Sequence, residues 1–432
     1  MKLKVQRQHR ELKKYIRKIG DEPIFFYANI NDMSEQQSLR YTCLFGGGAI
    51  RGAAHVGAIK ALEEMGVEFG TFGGSSVGSI VAALYAVGYT VDELAEVFLG
   101  VNFELFRDIS LSLKGKFALS KGDVFLDWFR ELIEKKFYKD NYKKGENPPV
   151  KFKDIGKNLV IITTNMKDFT CCEFSNFETP EFEVAMAVRI SCCMPGLMRA
   201  VNMDNKLLVD GDLMKGRPMW SLSKNLQKSK DRILEIRLEG EFSGSDKNPL
   251  EYVNGMYSCM TYSETSFISE LFKGSDMCDY LVINTGSVIV VDFNYPQQKR
   301  QAIIEQGYEQ TKKYFREDLL QKKRYLLNNY SEIMDYLRGI QDSMLRKKFK
   351  LTKNIIAEMY ILLSDIKNDV DQDLYKEISI LQKLVYSNVK SGLLGNSKCS
   401  NYSTIYSKLK EIIEYTNNKI EEIDWYINKY SV

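Results

Sequence analysis

"LFGGGAIRGAAHVG", Leu44 to Gly57, sets three consecutive glycines behind a short apolar run. A backbone bare of side chains at three positions in a row is one that something must approach closely. After an apolar strand, such a turn usually offers its N–H groups to negative charge. That charge is either a bound phosphate or an oxyanion that exists only during a reaction. The phosphate reading lacks its usual companions. There is no G-x-x-x-x-G-K-[ST], and the turn reads G-G-G-A-I-R-G rather than G-x-G-x-x-G.

Downstream lies "TFGGSSVGSIVAALY", Thr71 to Tyr85. Gly74-Ser75-Ser76-Val77-Gly78 matches G-x-S-x-G, with a strand pattern before it and a helix pattern after it. A nucleophile elbow needs that context: a sharp strand-to-helix turn exposes the serine oxygen, and flanking glycines relieve the crowding. Ser76 is the candidate nucleophile. The turn at Gly46, Gly47 and Gly48 then reads as an oxyanion hole, because a serine hydrolase must bind the negative oxygen of its tetrahedral intermediate.

A serine hydroxyl is a poor nucleophile until a base takes its proton. The chain has only two histidines, His9 and His55, and neither follows Ser76, so the chain order Ser…Asp…His is excluded. His55, one turn into the helix after the glycines, reads as an interior packing residue. The base is then a carboxylate, a lysine or nothing. The best carboxylate is in "KLLVDGDLMKGRP", Lys206 to Pro218, where Asp210 ends an apolar strand pattern and Gly211 makes a tight turn. Asp212 is a second carboxylate in the same turn. Without Ser76, the Asp-Gly pair would read as an ordinary surface turn.

Composition narrows the class. At 432 residues and 44% hydrophobic, the chain can bury one large core or two moderate ones. A net charge of +3 argues against nucleic acid as a partner of the whole molecule. Within residues 1–18, Lys2, Lys4, Arg7, Arg10, Lys13, Lys14, Arg17 and Lys18 face only Glu11, which suits a solvated helix or an arm on anionic lipid. No apolar run of transmembrane length and no signal-peptide hydrophobic region occur, so a soluble cytoplasmic protein is expected. The adjacent pairs Cys171-Cys172 and Cys192-Cys193, read as strand neighbours on opposite faces, suit core packing. No metal and no cofactor are expected, since the chain lacks CxxC spacing and an EF-hand loop.

Short apolar runs alternate with helical patterns from about Tyr41 to Phe315, which predicts an α/β core. Strands are expected at Tyr41–Phe45, Val67–Phe72, Asn158–Asn165, Arg232–Leu238 and Tyr280–Asn284, with helices to about Met65 and over Val77–Val87. After Phe315 there is no proline, and apolar residues recur at helical spacing. The sets are Ile355, Ile356, Met359, Leu362, Leu363, Ile366; Leu374, Ile378, Leu381, Leu384; and Ile405, Leu409, Ile412, Ile413, Ile420, Ile423, Ile427. The reading is a basic extension over 1–40, an α/β hydrolase domain over 41–315 and an all-helical domain over 316–432, broken near Ser391–Asn401. Glu96–Leu119 is unusually aromatic for a connection and reads as a membrane-facing cap or as core. Lys322-Lys323-Arg324 and Arg346-Lys347-Lys348 are basic clusters through which the helical domain would bind acidic phospholipid or a protein partner.

Taken in order, "GGGAIRG" (Gly46–Gly52), "GSSVG" (Gly74–Gly78) and Asp210-Gly211 resemble the motifs of the patatin-like phospholipase family. "AVRISCCMPGLM" (Ala187–Met198) is similar to the segment before that family's aspartate, and weaker matches extend the resemblance over about Tyr41 to Phe315. It implies a three-layer α/β/α hydrolase core and a calcium-independent phospholipase A type activity on membrane phospholipid through a Ser76–Asp210 dyad. Gly47 and Gly48 would donate to the oxyanion, and Arg51 would hold their loop. The sequence departs from the family at Asp212, where a small residue is usual; its charge would raise the pKa of Asp210 or compete for Ser76. An acyltransferase using the same residues, a catalytically silent module acting through its helical tail and a nucleotide-binding protein are the alternatives. Export as an effector is compatible with all of them.

Overall fold

The structure, a computed structural model, describes residues 39–101, 118–214, 223–226, 231–240, 255, 276, 278–288, 295–367, 369–391 and 397–431. The basic leading segment and most of the aromatic stretch after Glu96 lie outside them. The chain divides into two compact units. One comprises Gln37–Lys273 and Cys278–Tyr314; the other comprises Met1–Gln36, Gly274–Met277 and Phe315–Val432.

The first unit is an α/β domain. Its strands are β1 (Leu39–Phe45), β2 (Val67–Ser75), β3 (Ala118–Ser120), β4 (Asn158–Asn165), β5 (Thr170–Ser175), β6 (Gly196–Met198), β7 (Val201–Met203), β8 (Lys206–Asp210), β9 (Arg232–Glu239) and β10 (Cys278–Asn284). Its helices are α1 (Ala53–Glu64), α2 (Val77–Val87), α3 (Val91–Gly100), α4 (Asp123–Tyr138), α5 (Val184–Ser191) and α6 (Gln297–Lys313). Among the described residues the main sheet has eight strands, ordered β10-β9-β1-β2-β4-β8-β7, with β5 also on β4. Strands β10, β9, β1, β2 and β4 run parallel. Residues 159–165 of β4 are all buried, as a near-continuous apolar run predicts for a strand covered on both faces.

The sheet turns antiparallel beyond β4, a feature the apolar runs do not predict. Strand β5 lines one edge of β4, pairing Val160 with Ser175 through Asn165 with Thr170. The other edge is shared. β2 pairs with its lower half, Ser75 opposite Ile162, and β8 descends along its upper half, Asp210 opposite Thr163. The carboxyl ends of β2 and β8 therefore converge head-on at adjacent rungs of one strand. Ligands of open α/β sheets gather at such carboxyl ends.

The second unit is a helical bundle of α7 (Leu319–Leu345), α8 (Phe349–Asp365), α9 (Gln372–Asn388) and α10 (Tyr402–Tyr430). The hairpin β11 (Val389–Ser391) and β12 (Ser397–Cys399) stands where the sequence predicts a break. Ile355, Met359, Leu374, Ile378, Leu381, Leu409 and Ile412 form its core with Leu337 and Ile340 of α7. One expectation is corrected. Lys322 and Lys323 are not a surface cluster: both are buried, and Lys323 lies 3.9 Å from the buried Asp276 carboxylate with the Tyr426 ring beside it. The helical period sets these cations on the inward stripe of α7, where the Asp276 carboxylate reaches Lys323.

Candidate active site

The elbow is built by a backbone that only its surroundings can hold. β2 runs straight to Ser75, Ser76 adopts φ 50° and ψ −129°, and α2 starts at Val77. A serine at such dihedrals costs on the order of 1–3 kcal/mol, and strain of this kind clusters at functional sites. Gly74 and Gly78 make it possible. A Cβ on Gly78 would sit 1.9 Å from the Phe45 carbonyl oxygen, and one on Gly74 would sit 2.4 Å from the Gly78 carbonyl. The Ser76 N–H donates to Ser191 Oγ at 3.0 Å, Ser191 donates to the Ile162 carbonyl at 2.7 Å, and Ser79 caps the Ser76 carbonyl at 2.6 Å.

Convergence of β2 and β8 brings Ser76 Oγ to 2.8 Å from Asp210 Oδ2. Asp210 is fully buried. Its other oxygen accepts the Asp212 N–H at 2.8 Å, and its own N–H donates to the Cys193 carbonyl at 2.9 Å. Gly211 turns the chain directly beneath, against Ile162 O and Ser75 Cβ. A buried carboxylate within hydrogen-bond reach of a strained serine hydroxyl has the geometry of a general base and its nucleophile.

The glycine turn answers the question its sequence raises in an unexpected way. Gly46 continues the sheet, its N–H donating to Ile236 O at 2.8 Å. The Gly47 N–H donates to Asp212 Oδ1 at 3.0 Å, and a Cβ on Gly47 would meet Asp212 Oδ2 at 2.2 Å. The group that crowds Gly47 is therefore a carboxylate of the chain itself. Of the three glycines read as oxyanion donors, Gly46 and Gly47 have their N–H groups engaged. Asp212 also accepts the neighbouring Ser75 hydroxyl at 2.5 Å, while the Ser76 hydroxyl donates to Asp210. Ser75 is the last residue of β2 and Ser76 stands at the positive-φ turn after it, and the two hydroxyls meet different aspartates.

Arg51 is buried and donates through Nε and Nη2 to the Val288 carbonyl at 3.1 and 2.7 Å, tying the turn that follows the glycines to the loop after β10. His55 is fully buried, edge-on to the Phe45 ring, with Nε2 2.8 Å from the Gly46 carbonyl. The histidine therefore supports the glycine turn.

Three side chains around the site carry no sequence signal. Ser191 and Ser75 are small polar residues inside apolar segments. Arg237, buried on β9, pairs with Glu235 at 2.5 Å, and its Cδ packs over Gly46. Burial pulls the Arg237 pKa down, but the charges of Glu235, Tyr280 and Asp212 outweigh it and raise it overall. Cys192 and Cys193 follow α5 and are not strand neighbours, unlike Cys171 and Cys172 on β5. Burial, then the Asp210 charge, pushes the Cys192 thiol far up, and burial pushes Cys193 up to about 12. Burial thus holds both thiols in their protonated form. Among the described residues no cluster of three or more His, Cys, Asp or Glu is arranged to hold a metal, and no helix is long and apolar enough to cross a membrane.

Residues 44–222, which contain the glycine turn, the elbow and the aspartate turn, match the model of the family described as patatin-like phospholipase. The chain is 28% identical over 279 residues to uncharacterized protein R571 of Acanthamoeba polyphaga mimivirus, covering 62% of this chain and 90% of that one. Over 93 residues it is 40% identical to lysophospholipase nte1 of Aspergillus fumigatus, covering 20% of this chain and 6% of that much longer protein. The solved structure of VipD from Legionella pneumophila aligns over 91% of this chain and 92% of its own, at 14% identity and a TM-score of 0.47. Residues 44–222 of the chain are thus a patatin-like phospholipase domain.

Proposed function

We propose that this protein is a calcium-independent lipid acyl hydrolase of the phospholipase A type, acting on membrane phospholipid through a Ser76–Asp210 dyad. The observation that carries the reading is the 2.8 Å contact between Ser76 Oγ and Asp210 Oδ2 at a strained strand-to-helix turn. Ser76 Oγ attacks the acyl carbonyl while its proton passes to Asp210. The carbonyl oxygen becomes an oxyanion received by the glycine turn. As the intermediate collapses, the ester C–O bond breaks and Asp210 returns the proton to the departing lysophospholipid oxygen. Water, deprotonated by Asp210, then attacks the acyl-enzyme. Free fatty acid leaves and Ser76 regains its proton.

The enzyme would work as a peripheral visitor to the bilayer. The exposed Arg346, Lys347 and Lys348 between α7 and α8 are the part of the helical unit suited to acidic headgroups. The test is fatty-acid release from mixed phospholipid vesicles in the presence of a chelator, by the native chain, Ser76→Ala and Asp210→Asn. Release by the native chain, falling at least about a thousandfold in both variants, is the expected result. Release retained by Ser76→Ala, or abolished by the chelator, would sink the reading.

A further inference from the structure

The glycine turn has a limited number of backbone N–H groups, and several of them have partners. Gly46 donates to β9, Gly47 to Asp212, and Arg51 to the Gly48 carbonyl at 3.1 Å. Among the described residues, the N–H groups of Gly48 and Ala49 have no protein acceptor. This pair lies at the bend of the turn. Ala49 is held at φ 49°, a left-handed conformation that costs an L residue on the order of 1–2 kcal/mol. Both flanks of the bend pack on the elbow. Gly78 lies under Phe45 and Gly46, and a Cβ on Gly52 would sit 2.2 Å from Val77 Cγ2.

Asp212 occupies the opposite side of the turn. Oδ1 takes both the Gly47 N–H and the Ser75 hydroxyl, and the Asp212 N–H holds Asp210 Oδ1 at 2.8 Å. One residue thus joins the glycine turn, the strand end before the nucleophile and the catalytic aspartate. Its carboxylate is almost wholly buried, and the positive charge of Arg237 lies in its field. An oxyanion directed at Gly47 would have to displace a buried carboxylate from its N–H and set a second negative charge against it, which costs more than one hydrogen bond returns. An oxyanion directed at Gly48 and Ala49 displaces no protein group.

We infer that Asp212 is a positioning residue that commits the Gly47 N–H to itself and leaves the N–H groups of Gly48 and Ala49 as the donors to the oxyanion. The inference rests on the acyl-hydrolase reading. It moves the hole one residue along from the Gly47–Gly48 pair that family resemblance implies, and it gives a role to the carboxylate by which this chain departs from that family.

An alkyl fluorophosphonate tests it, because its adduct on Ser76 places a phosphonyl oxygen where the oxyanion would form. In the full-length chain labelled with 15N-glycine and 15N-alanine, adduct formation should move the amide protons of Gly48 and Ala49 strongly downfield and leave that of Gly47 near its free position. An adduct that shifts Gly47 instead would overturn this inference alone. No adduct on Ser76 would overturn the hydrolase reading and this inference with it. Kinetics supply the second arm. Asp212→Ala should lower kcat by about tenfold or more with KM nearly unchanged, and Asp212→Asn, which keeps an oxygen acceptor for Gly47 and Ser75, should recover most of that loss. A variant lacking the carboxylate that turns over as fast as the native chain, or faster, would make Asp212 an obstruction and overturn the proposal. The resonance shifts are read on the native sequence, so misfolding of a variant would not weaken the test.

Discussion

Ser191 Oγ accepts the backbone N–H of Ser76 at 3.0 Å and donates to the Ile162 carbonyl at 2.7 Å, so one buried hydroxyl bridges the main chain of the elbow serine to the middle of the sheet. Residues at strained dihedrals persist only where their surroundings over-determine them. Ser191→Ala would leave a buried N–H without its acceptor, a loss on the order of 1–3 kcal/mol. We expect kcat to fall more than KM rises, together with a lower melting temperature. Unchanged kcat in a folded Ser191→Ala protein would show that the elbow holds itself.

Gly78→Ala is expected to be among the most damaging single methyl additions in the domain. The new Cβ would lie 1.9 Å from the Phe45 carbonyl oxygen, and both contacting groups are backbone. Moving them means shifting the elbow away from the glycine turn, at a cost of about 2 kcal/mol or more. Activity should disappear even where the variant still folds, as followed by vesicle hydrolysis alongside thermal melting.

Glu134, on α4, has its pKa raised by burial, with Glu183 and Glu131 adding to the effect and Arg130 opposing it. The folded state therefore holds this proton more tightly than the unfolded chain does. Stability from this group is present below the ordinary carboxylate pKa and is lost as pH rises through the raised folded value. Glu134→Gln should accordingly raise the melting temperature at neutral pH and have no effect at pH values below the ordinary carboxylate range. A melting difference independent of pH would assign the change to packing.

In the helical unit, Asp276 accepts the Tyr330 hydroxyl at 2.9 Å and lies 3.9 Å from Lys323 and 3.6 Å from Lys419. Burial, then the Asp276 charge, raises the pKa of Tyr330. Removing the carboxylate leaves Lys323 buried without this counter-charge, a loss of about 3 kcal/mol. Chemical denaturation should show a large destabilisation for Asp276→Ala and a smaller one for Asp276→Asn, which can still accept from Tyr330.

Reversing the charges of Arg346, Lys347 and Lys348 together should weaken co-sedimentation with anionic vesicles. Each cation near such a surface contributes about 1 kcal/mol. Binding of the triple variant equal to that of the native chain would remove the helical unit's basic turn from membrane association.

Much of the α/β unit is legible as text because its signals are local. A strand, a sharp turn and a helix must follow one another for G-x-S-x-G to work, and all three are contiguous around Ser76. The strand expected at Asn158–Asn165 and the helix expected at Val77–Val87 stand at those limits. The helical tail was equally readable, since each apolar set fills one face of one helix. Lys322 and Lys323 read as surface charges by residue type, while their position on the helix puts them inside.

Sequence alone therefore established the family resemblance, the elbow serine, the aspartate turn and the separation of an α/β unit from a helical one. These follow from spacing, periodicity and residue chemistry within short windows. Only the folded chain could say that β2 and β8 share one edge of β4, which is what brings Ser76 to Asp210 across 134 residues. Only the folded chain could say that Asp212 claims the Gly47 N–H across 165 residues and the Ser75 hydroxyl across 137. Such pairings depend on register and on which face of a strand each side chain takes, and a shift of one residue would reverse them.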